Sequence, residues 1–425
     1  MSEVRGTHPR PSRRRKVLLV ILGAAAELLL IEGGIRVVMP HPFYGNMIVP
    51  DEKAGFKAKP GTVGRSTNPA AGFDVELRIN REGFRDRDFS VQKAANTLRI
   101  AFLGDSFTYA EQVEEPETFV RIMEGLLNTD SKRFAGRKVE CMNFAISGYD
   151  TQQHVLCYEY YVRKYKPDIV VLEMFPHNDF PGNLFYLREK LFGRPHFKLV
   201  GGRLEKVEAN EKLLQSNYKK VKKETEMTLL RHSHLYNVVA GLFKRFQFRF
   251  TSHAKAQAFK LDPNDSASVE KFWNLPYTWS YRYYVVGKDP FNDQTEKITR
   301  LLMRKLKDEV EADKSVFLVS LIPAKENVWP ERRPEMAKLY PEIESFKFDF
   351  NRPFASVHKF FPELVKRRDI FDARPPLRKA GETQQVFFNH EFHLTPAGHR
   401  AVADAQAPWL AERIDRLIQS RLELE

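Results

Sequence analysis

The chain has 425 residues, 42% of them hydrophobic and 29% charged, enough apolar content for one large domain with appendages or for two domains, and too much for a disordered chain. Its two cysteines, Cys141 and Cys157, supply neither a disulfide framework nor a metal-ligand spacing and read as ordinary thiols. The formal net charge of +13 is uneven, because residues 1–16 carry Arg5, Arg10, Arg13, Arg14, Arg15 and Lys16 against Glu3 alone.

That basic tail runs into residues 17–39 (VLLVILGAAAELLLIEGGIRVVM), an apolar stretch long enough to cross a hydrocarbon core of roughly 30 Å as a helix, though Glu27, Glu32 and Arg36 interrupt it. An uncleaved anchor is the favoured reading. A signal-peptide cut at Ala24 or Ala26 would fall before Leu28 to Ile31, which continue the apolar run. The cleaved signal peptide, a twin-arginine export signal with Lys16 where an apolar residue is expected, and a buried core helix are the alternatives. With the arginines inside, the expectation is a single-pass membrane protein whose catalytic domain faces the periplasm or the exterior.

Residues 40–95 are rich in Gly, Pro and Asn and read as a linker with a small β-element, the alternating Phe73 to Ile79. Residues 96–425 then form the main domain. Thr97 to Leu103 is a short apolar strand, Glu117 to Asn128 a helix with Pro116 suited to its first turn, Lys138 to Ile146 a strand, Thr151 to Lys164 a helix and Asp168 to Phe175 a strand. This β-α-β-α-β order implies a parallel sheet covered by helices on both faces. The pattern breaks over residues 182–290, an insertion or cap with a basic helical segment (Glu211 to Arg231) and the aromatic-rich Phe272 to Tyr284. It returns with a helix from Gln294 to Glu311, strands at Ser315 to Ile322 and Asp369 to Phe371, and a closing helix through Ala401 to Ile418 that Thr395 caps and Pro396 opens.

In an open parallel sheet, ligands bind beyond the carboxyl ends of the strands. Ser106 follows the first strand, Gly148 the second and Asn178 the third. A serine hydroxyl becomes a nucleophile when an imidazole takes its proton, and the oxyanion it creates needs preorganised donors. The N–H groups of Ser106 and Gly148 and the Asn178 amide are the candidate donors, and His393 is the candidate base.

These residues resemble the SGNH, or GDSL-like, serine hydrolase family: Gly104-Asp105-Ser106-Phe107-Thr108 its first block, Gly148 its second, Asn178-Asp179 its third and Glu391-Phe392-His393 its last. The resemblance covers roughly residues 97–181 and 316–418. It implies a three-layer α/β/α, flavodoxin-like parallel sheet, a serine nucleophile, an imidazole base and an oxyanion hole from Ser106, Gly148 and Asn178. The family usually places an aspartate two or three residues before the histidine; here those positions are Glu391 and His390. Glu391 is the favoured third member of a triad, a backbone carbonyl or Asp105 the alternative. Asp105 is expected to support the nucleophile loop.

His390, Glu391 and His393 lack the spacing of a zinc peptidase, and nothing calls for a metal or a cofactor. His177 and His399 are expected to be structural. Lys219, Lys220, Lys222 and Lys223 read as a solvated helical face that would also attract an acidic polysaccharide or anionic head groups. No nucleic-acid recognition motif is present. Trp273, Tyr277, Trp279, Tyr281, Tyr283 and Tyr284 suit either sugar stacking or packing of the cap. The leading expectation is an esterase acting on an acylated envelope carbohydrate or lipid. The alternatives are an O-acyltransferase modifying an extracytoplasmic polysaccharide and a non-catalytic glycan-binding or assembly protein.

Overall fold

The structure, a computed structural model, describes residues 12–38, 47–68, 71–130, 132–184, 193–225, 233–236, 238–239, 261–262, 265–275, 278–332, 334–338, 340–389 and 391–423. Its strands are β1 (Ile48–Asp51), β2 (Gly55–Ala58), β3 (Val63–Asn68), β4 (Phe73–Arg78), β5 (Thr97–Gly104), β6 (Lys138–Asn143), β7 (Ile169–Met174), β8 (His196–Val200), β9 (Arg203–Val207), β10 (Val316–Leu321) and β11 (Ile370–Asp372). Five of them form one parallel sheet in the order β6-β5-β7-β10-β11. Counted within the sheet this is 2-1-3-4-5, the flavodoxin-like doubly wound order.

Period-two side-chain alternation explains why both faces of this sheet are apolar. Ile100, Phe102, Ile169, Val171 and Leu318 point into one core, and Ala101, Leu103, Val170, Leu172, Phe317, Val319 and Leu321 into the other. Helices Phe119–Leu127 and Pro396–Leu422 cover the first face; Thr151–Cys157 and Pro290–Ala312 cover the second. The helix Pro290–Ala312 buries Ile298, Leu302, Met303, Leu306 and Val310, the three-to-four spacing of a single stripe. Each such aliphatic side chain contributes about 1.5–3 kcal/mol by leaving water. Thr395 caps the closing helix, accepting from the Gly398 N–H, with Pro396 at its first position. Cys141 and Cys157 are both buried.

The stretch 40–95 is not a linker with one β-element. Where described, it folds as two antiparallel hairpins, β1-β2 and β3-β4. Ala54, Phe56, Ala58, Ile79 and Phe84 join the main core, and the Tyr149 hydroxyl donates to the Phe56 carbonyl at 2.7 Å. Polar, glycine-rich composition concealed this, because only isolated apolar residues make the contacts.

The insertion holds the β8-β9 hairpin, helix Glu211–Thr225, helix Ser266–Phe272 and a 3-10 turn at Thr278–Tyr284. Its Phe272, Trp273, Tyr281 and Tyr284 form a separate core with Ala337, Tyr340, Ile343 and Phe350. These partners come from an excursion after β10 that has no periodic pattern in the sequence. The cap is therefore built by two segments. Tyr277 and the side chains of Lys220, Lys222 and Lys223 lie outside the described residues; Lys219 is exposed.

The helix Arg13–Val38 is long and apolar enough to cross a membrane, and none of its residues is buried. Two of the charges that interrupt it are paired, Arg36 Nε lying 2.8 Å from Glu32. Glu32 also accepts from the Ser233 hydroxyl and from the N–H groups of His234 and Leu235, each at 2.8 Å.

One buried acid gives a measurable pH effect. Glu173 on β7 is fully buried and accepts from Gln406 Nε2 at 2.5 Å; burial raises its pKa to about 7. The folded state therefore holds a proton that the unfolded chain releases above its ordinary range, so this residue's contribution to stability falls as pH rises from about 4.5 to about 7. Glu173→Gln is expected to be more stable than wild type at pH 8 and to lose that advantage toward pH 4.5. The difference between paired urea titrations across this range isolates Glu173 from the other titrating groups.

Candidate active site

Ser106 opens a four-residue helix, Ser106–Tyr109, directly after β5. Gly104 is required for this tight exit, since a Cβ there would lie 2.2 Å from Thr108 Oγ1. Asp105 caps the turn, its Oδ1 accepting from the Phe107 N–H at 2.9 Å. Burial raises the Asp105 pKa to about 6, opposed by the Phe107 N–H, the charge of His393 and the Asn178 amide. Asp105 thus holds the turn that carries Ser106 and is not bonded to Nδ1 of His393.

His393 comes from the loop ahead of the closing helix, 287 residues from Ser106, and its Nε2 lies 2.7 Å from Ser106 Oγ. The loop is held by the Phe388 N–H donating to the His393 carbonyl at 3.0 Å and the Thr395 N–H donating to the Val386 carbonyl at 3.1 Å. The rings of Phe107 and Phe392 flank the imidazole, with centroids 4.8 and 4.3 Å away. Glu391 folds back on its own loop. One carboxylate oxygen accepts from the His393 main-chain N–H at 2.7 Å, and the other contacts Nδ1. The longer side chain reaches Nδ1 because the two-residue spacing makes a compact ring closed at both ends. His390 lies outside the described residues.

Gly148 follows β6 with φ at 86°, in the left-handed region. A Cβ there would meet only Phe56 Cζ, at 3.8 Å, so the constraint is on the backbone and not on space. Gly148→Ala is expected to cost about 1–2 kcal/mol of stability and, by turning its N–H, to lower kcat about tenfold or more. Thermal unfolding and steady-state rates measure the two effects separately.

Asn178 lies on the short helix Pro176–Gly182 after β7. Its Nδ2 donates to the Tyr149 carbonyl at 3.0 Å and sits 3.3 Å from Asp105 Oδ2. In this state its hydrogens are shared between protein acceptors, and donation to an oxyanion requires the longer Asp105 contact to give way. Asp179 beneath it is fully buried, accepting from the Phe175 N–H at 2.9 Å and the Thr151 hydroxyl at 2.8 Å. Burial and the neighbouring Asp105 push its pKa well up. The N–H groups of Ser106 and Gly148 have no acceptor among the described residues.

Ser106, Gly148, Asn178 and His393 line one cavity of about 360 Å³. Phe175, His177 and Phe392 complete the wall on the sheet side, and Trp279, Tyr281 and Met336 come from the two cap segments. Of the aromatic residues singled out in the sequence, Trp279 and Tyr281 face the cavity, while Trp273, Tyr283 and Tyr284 are buried. His177 contacts the Tyr284 hydroxyl at 3.3 Å, and burial lowers its pKa to about 4. His399 is buried, accepts from the Phe119 N–H at 3.3 Å and is held neutral by burial, its pKa lowered to about 3.

Three supporting residues have no signature in the sequence. Arg85 is buried and donates to the carbonyls of Tyr109 (3.0 Å), Ala110 and Val113 (2.7 Å), fixing the chain that leaves the helix Ser106–Tyr109. Gln112 in that chain lies 2.9 Å from His393 Nδ1. Lys325 Nζ donates to the carbonyls of Phe388 (2.7 Å) and Glu391 (3.4 Å) and ties the end of β10 to the histidine loop. Arg85→Met leaves three carbonyls without their donor, and is expected to lower stability by about 3 kcal/mol, read as a shifted urea midpoint.

No family model matches the chain, and no curated protein matches it. Among solved structures it is similar to TesA, with 10% identity over 74% of this chain and 97% of that one and a TM-score of 0.34. A GDSL-like lipase from Bacteroides thetaiotaomicron gives 10% identity over 76% and 92% and a TM-score of 0.34. A catalytic mutant of Axe2, an acetylxylan esterase from Geobacillus stearothermophilus, gives 12% over 74% and 93% and a TM-score of 0.35. Likeness this remote carries nothing about activity.

Proposed function

We propose that this chain is a serine ester hydrolase of the SGNH, or GDSL-like, kind that removes an O-acyl group from a cell-envelope carbohydrate or lipid. The observation that carries the reading is the 2.7 Å contact between Ser106 Oγ and His393 Nε2 in the wall of a cavity shared with Gly148 and Asn178. His393 accepts the Ser106 proton as Oγ attacks the acyl carbon, and Glu391 holds the imidazolium that forms. The oxyanion is received by the Ser106 and Gly148 N–H groups and the Asn178 amide. His393 then protonates the leaving alkoxide, and afterwards deprotonates the water that releases the acid from Ser106.

The helix Arg13–Val38 supports a place in the membrane, with the basic end inside and the catalytic domain outside. There the basic cap would draw in an acidic polysaccharide. Transfer of the acyl group to a sugar hydroxyl is the second reading, favoured by one observation: Trp279, Tyr281 and Met336 of the cap line the same cavity as Ser106, where they would shield an acyl-enzyme from water. A non-catalytic glycan-binding or assembly role is the third reading, and the two Glu391 contacts to His393 weigh against it.

The test uses the full chain in detergent. A fluorophosphonate is expected to label it, with the adduct on the Ser106 peptide by mass spectrometry. Absence of labelling, or an adduct elsewhere, overturns the reading. Incubation with an acyl donor and a glycan separates the two fates, since only transfer adds mass to the glycan.

A further inference from the structure

We propose that Gln112 is a positioning residue that acts through His393, presenting its amide oxygen to Nδ1 and so holding the tautomer in which Nε2 is the base. The proposal rests on the serine-esterase reading of the site and adds to it a fourth member.

His393 Nδ1 has two neighbours, a Glu391 carboxylate oxygen on one side and the Gln112 amide on the other. The structure sets Gln112 Nε2 at 2.9 Å from Nδ1 and leaves Oε1 buried with no partner. A carboxylate accepts and has nothing to donate. Its other oxygen already accepts from the His393 main-chain N–H. Nδ1 therefore carries the ring hydrogen, and an amide N–H facing it would set donor against donor. A half-turn of the Gln112 amide exchanges its ends, brings the oxygen to Nδ1–H and removes the conflict at the ring, with the NH₂ taking the buried position that Oε1 holds.

This contact is built and not incidental. Gln112 is 3% exposed, and the residues on either side of it are pinned by Arg85 through the Ala110 and Val113 carbonyls. Ala110, at φ 57°, ends the nucleophile helix in the left-handed conformation and turns the chain back toward the histidine. The same four-residue turn thus carries the nucleophile at its start and delivers a second acceptor for the base just beyond its end. When Ser106 gives up its proton, the positive charge on His393 meets both the Glu391 carboxylate and the Gln112 dipole. Asp105 and Glu111 on the nucleophile side and Glu391 on the histidine loop bring negative charge to the ring, Lys325 Nζ donates to the Glu391 carbonyl at 3.4 Å, and His399 is held neutral.

The experiment compares wild type with Gln112→Leu, which keeps the volume and removes the dipole, using an aryl acetate across pH. The expected result is a fall in kcat of about tenfold with KM little changed, and a lower pKa on the acid limb of kcat/KM, by about half a unit, because the imidazolium has lost an acceptor. An acid limb that stays in place or moves up overturns the proposal: a merely structural residue would not move it, and an amide N–H donor would move it up on removal. If the Leu variant does not fold, Gln112→Met takes its place, and 15N NMR of its histidines, with His393 assigned by its loss in His393→Gln, is compared with wild type. A loss of Nδ1–H tautomer on removing the amide supports the proposal, and an unchanged tautomer overturns it. If instead the wild type neither hydrolyses the ester nor takes the fluorophosphonate, the esterase reading fails on its own, and the NMR result still reports on Gln112.

Discussion

Ser106→Ala is expected to lower turnover of an aryl acetate by a factor on the order of 10⁴ to 10⁶, with thermal stability close to that of wild type. The rate effect is large because, in the proposed mechanism, the Ser106 oxygen forms the acyl bond and neither the oxyanion donors nor His393 can replace it. The stability effect is small because Ser106 lines the cavity and its Oγ bonds to His393, so its loss opens no core void. Turnover within tenfold of wild type would place the nucleophile elsewhere. The same variant should take no fluorophosphonate, which makes labelling and rate independent readings of one atom.

Glu391→Gln is expected to lower kcat by roughly 10² to 10⁴. The amide has nearly the shape of the carboxylate, so it still fits the ring closed by the His393 main-chain N–H and Nδ1. It cannot accept with both ends. If its oxygen keeps the main-chain N–H, its NH₂ faces Nδ1 and favours the hydrogen on Nε2, the tautomer that cannot take a proton from Ser106. It also removes the negative charge that stabilises the imidazolium. Glu391→Asp keeps the charge, but the shorter side chain cannot hold both contacts at once, and an intermediate rate is expected. A Glu391→Gln rate within threefold of wild type would mean that the carboxylate is not the orienting group. Asp105 could not readily take its place, because its oxygens already serve the Phe107 N–H and the Asn178 amide.

Much of this arrangement was legible in the chain. The five sheet strands appear as apolar runs within a few residues of their observed bounds, because period-two burial on both faces writes itself into consecutive residues. Ser106, Gly148 and Asn178 could be placed because each follows the end of its own strand, where a doubly wound sheet opens its crevice. Thr395-Pro396 announced the closing helix through local capping chemistry. The stretch 40–95 reads in sequence as a linker with a small β-element because its core contacts rest on scattered residues such as Phe56 and Phe84, which no window of periodicity detects. The second cap segment around Tyr340 to Phe350 escaped for the same reason.

Local pattern in the chain accounts for the sheet, the strand ends and the types of residue that stand at them, since these depend on neighbours a few positions apart. Which of those residues meet follows from long-range packing. His393 reaches Ser106 across 287 positions, Gln112 reaches His393 across 281, and Trp279 and Met336 from separate excursions close on the same cavity. Contacts of that range leave no local pattern, because what selects them is the packing of the whole domain, and a single arginine at position 85 can set the path of the chain beyond Ser106 without any mark in the residues beside it.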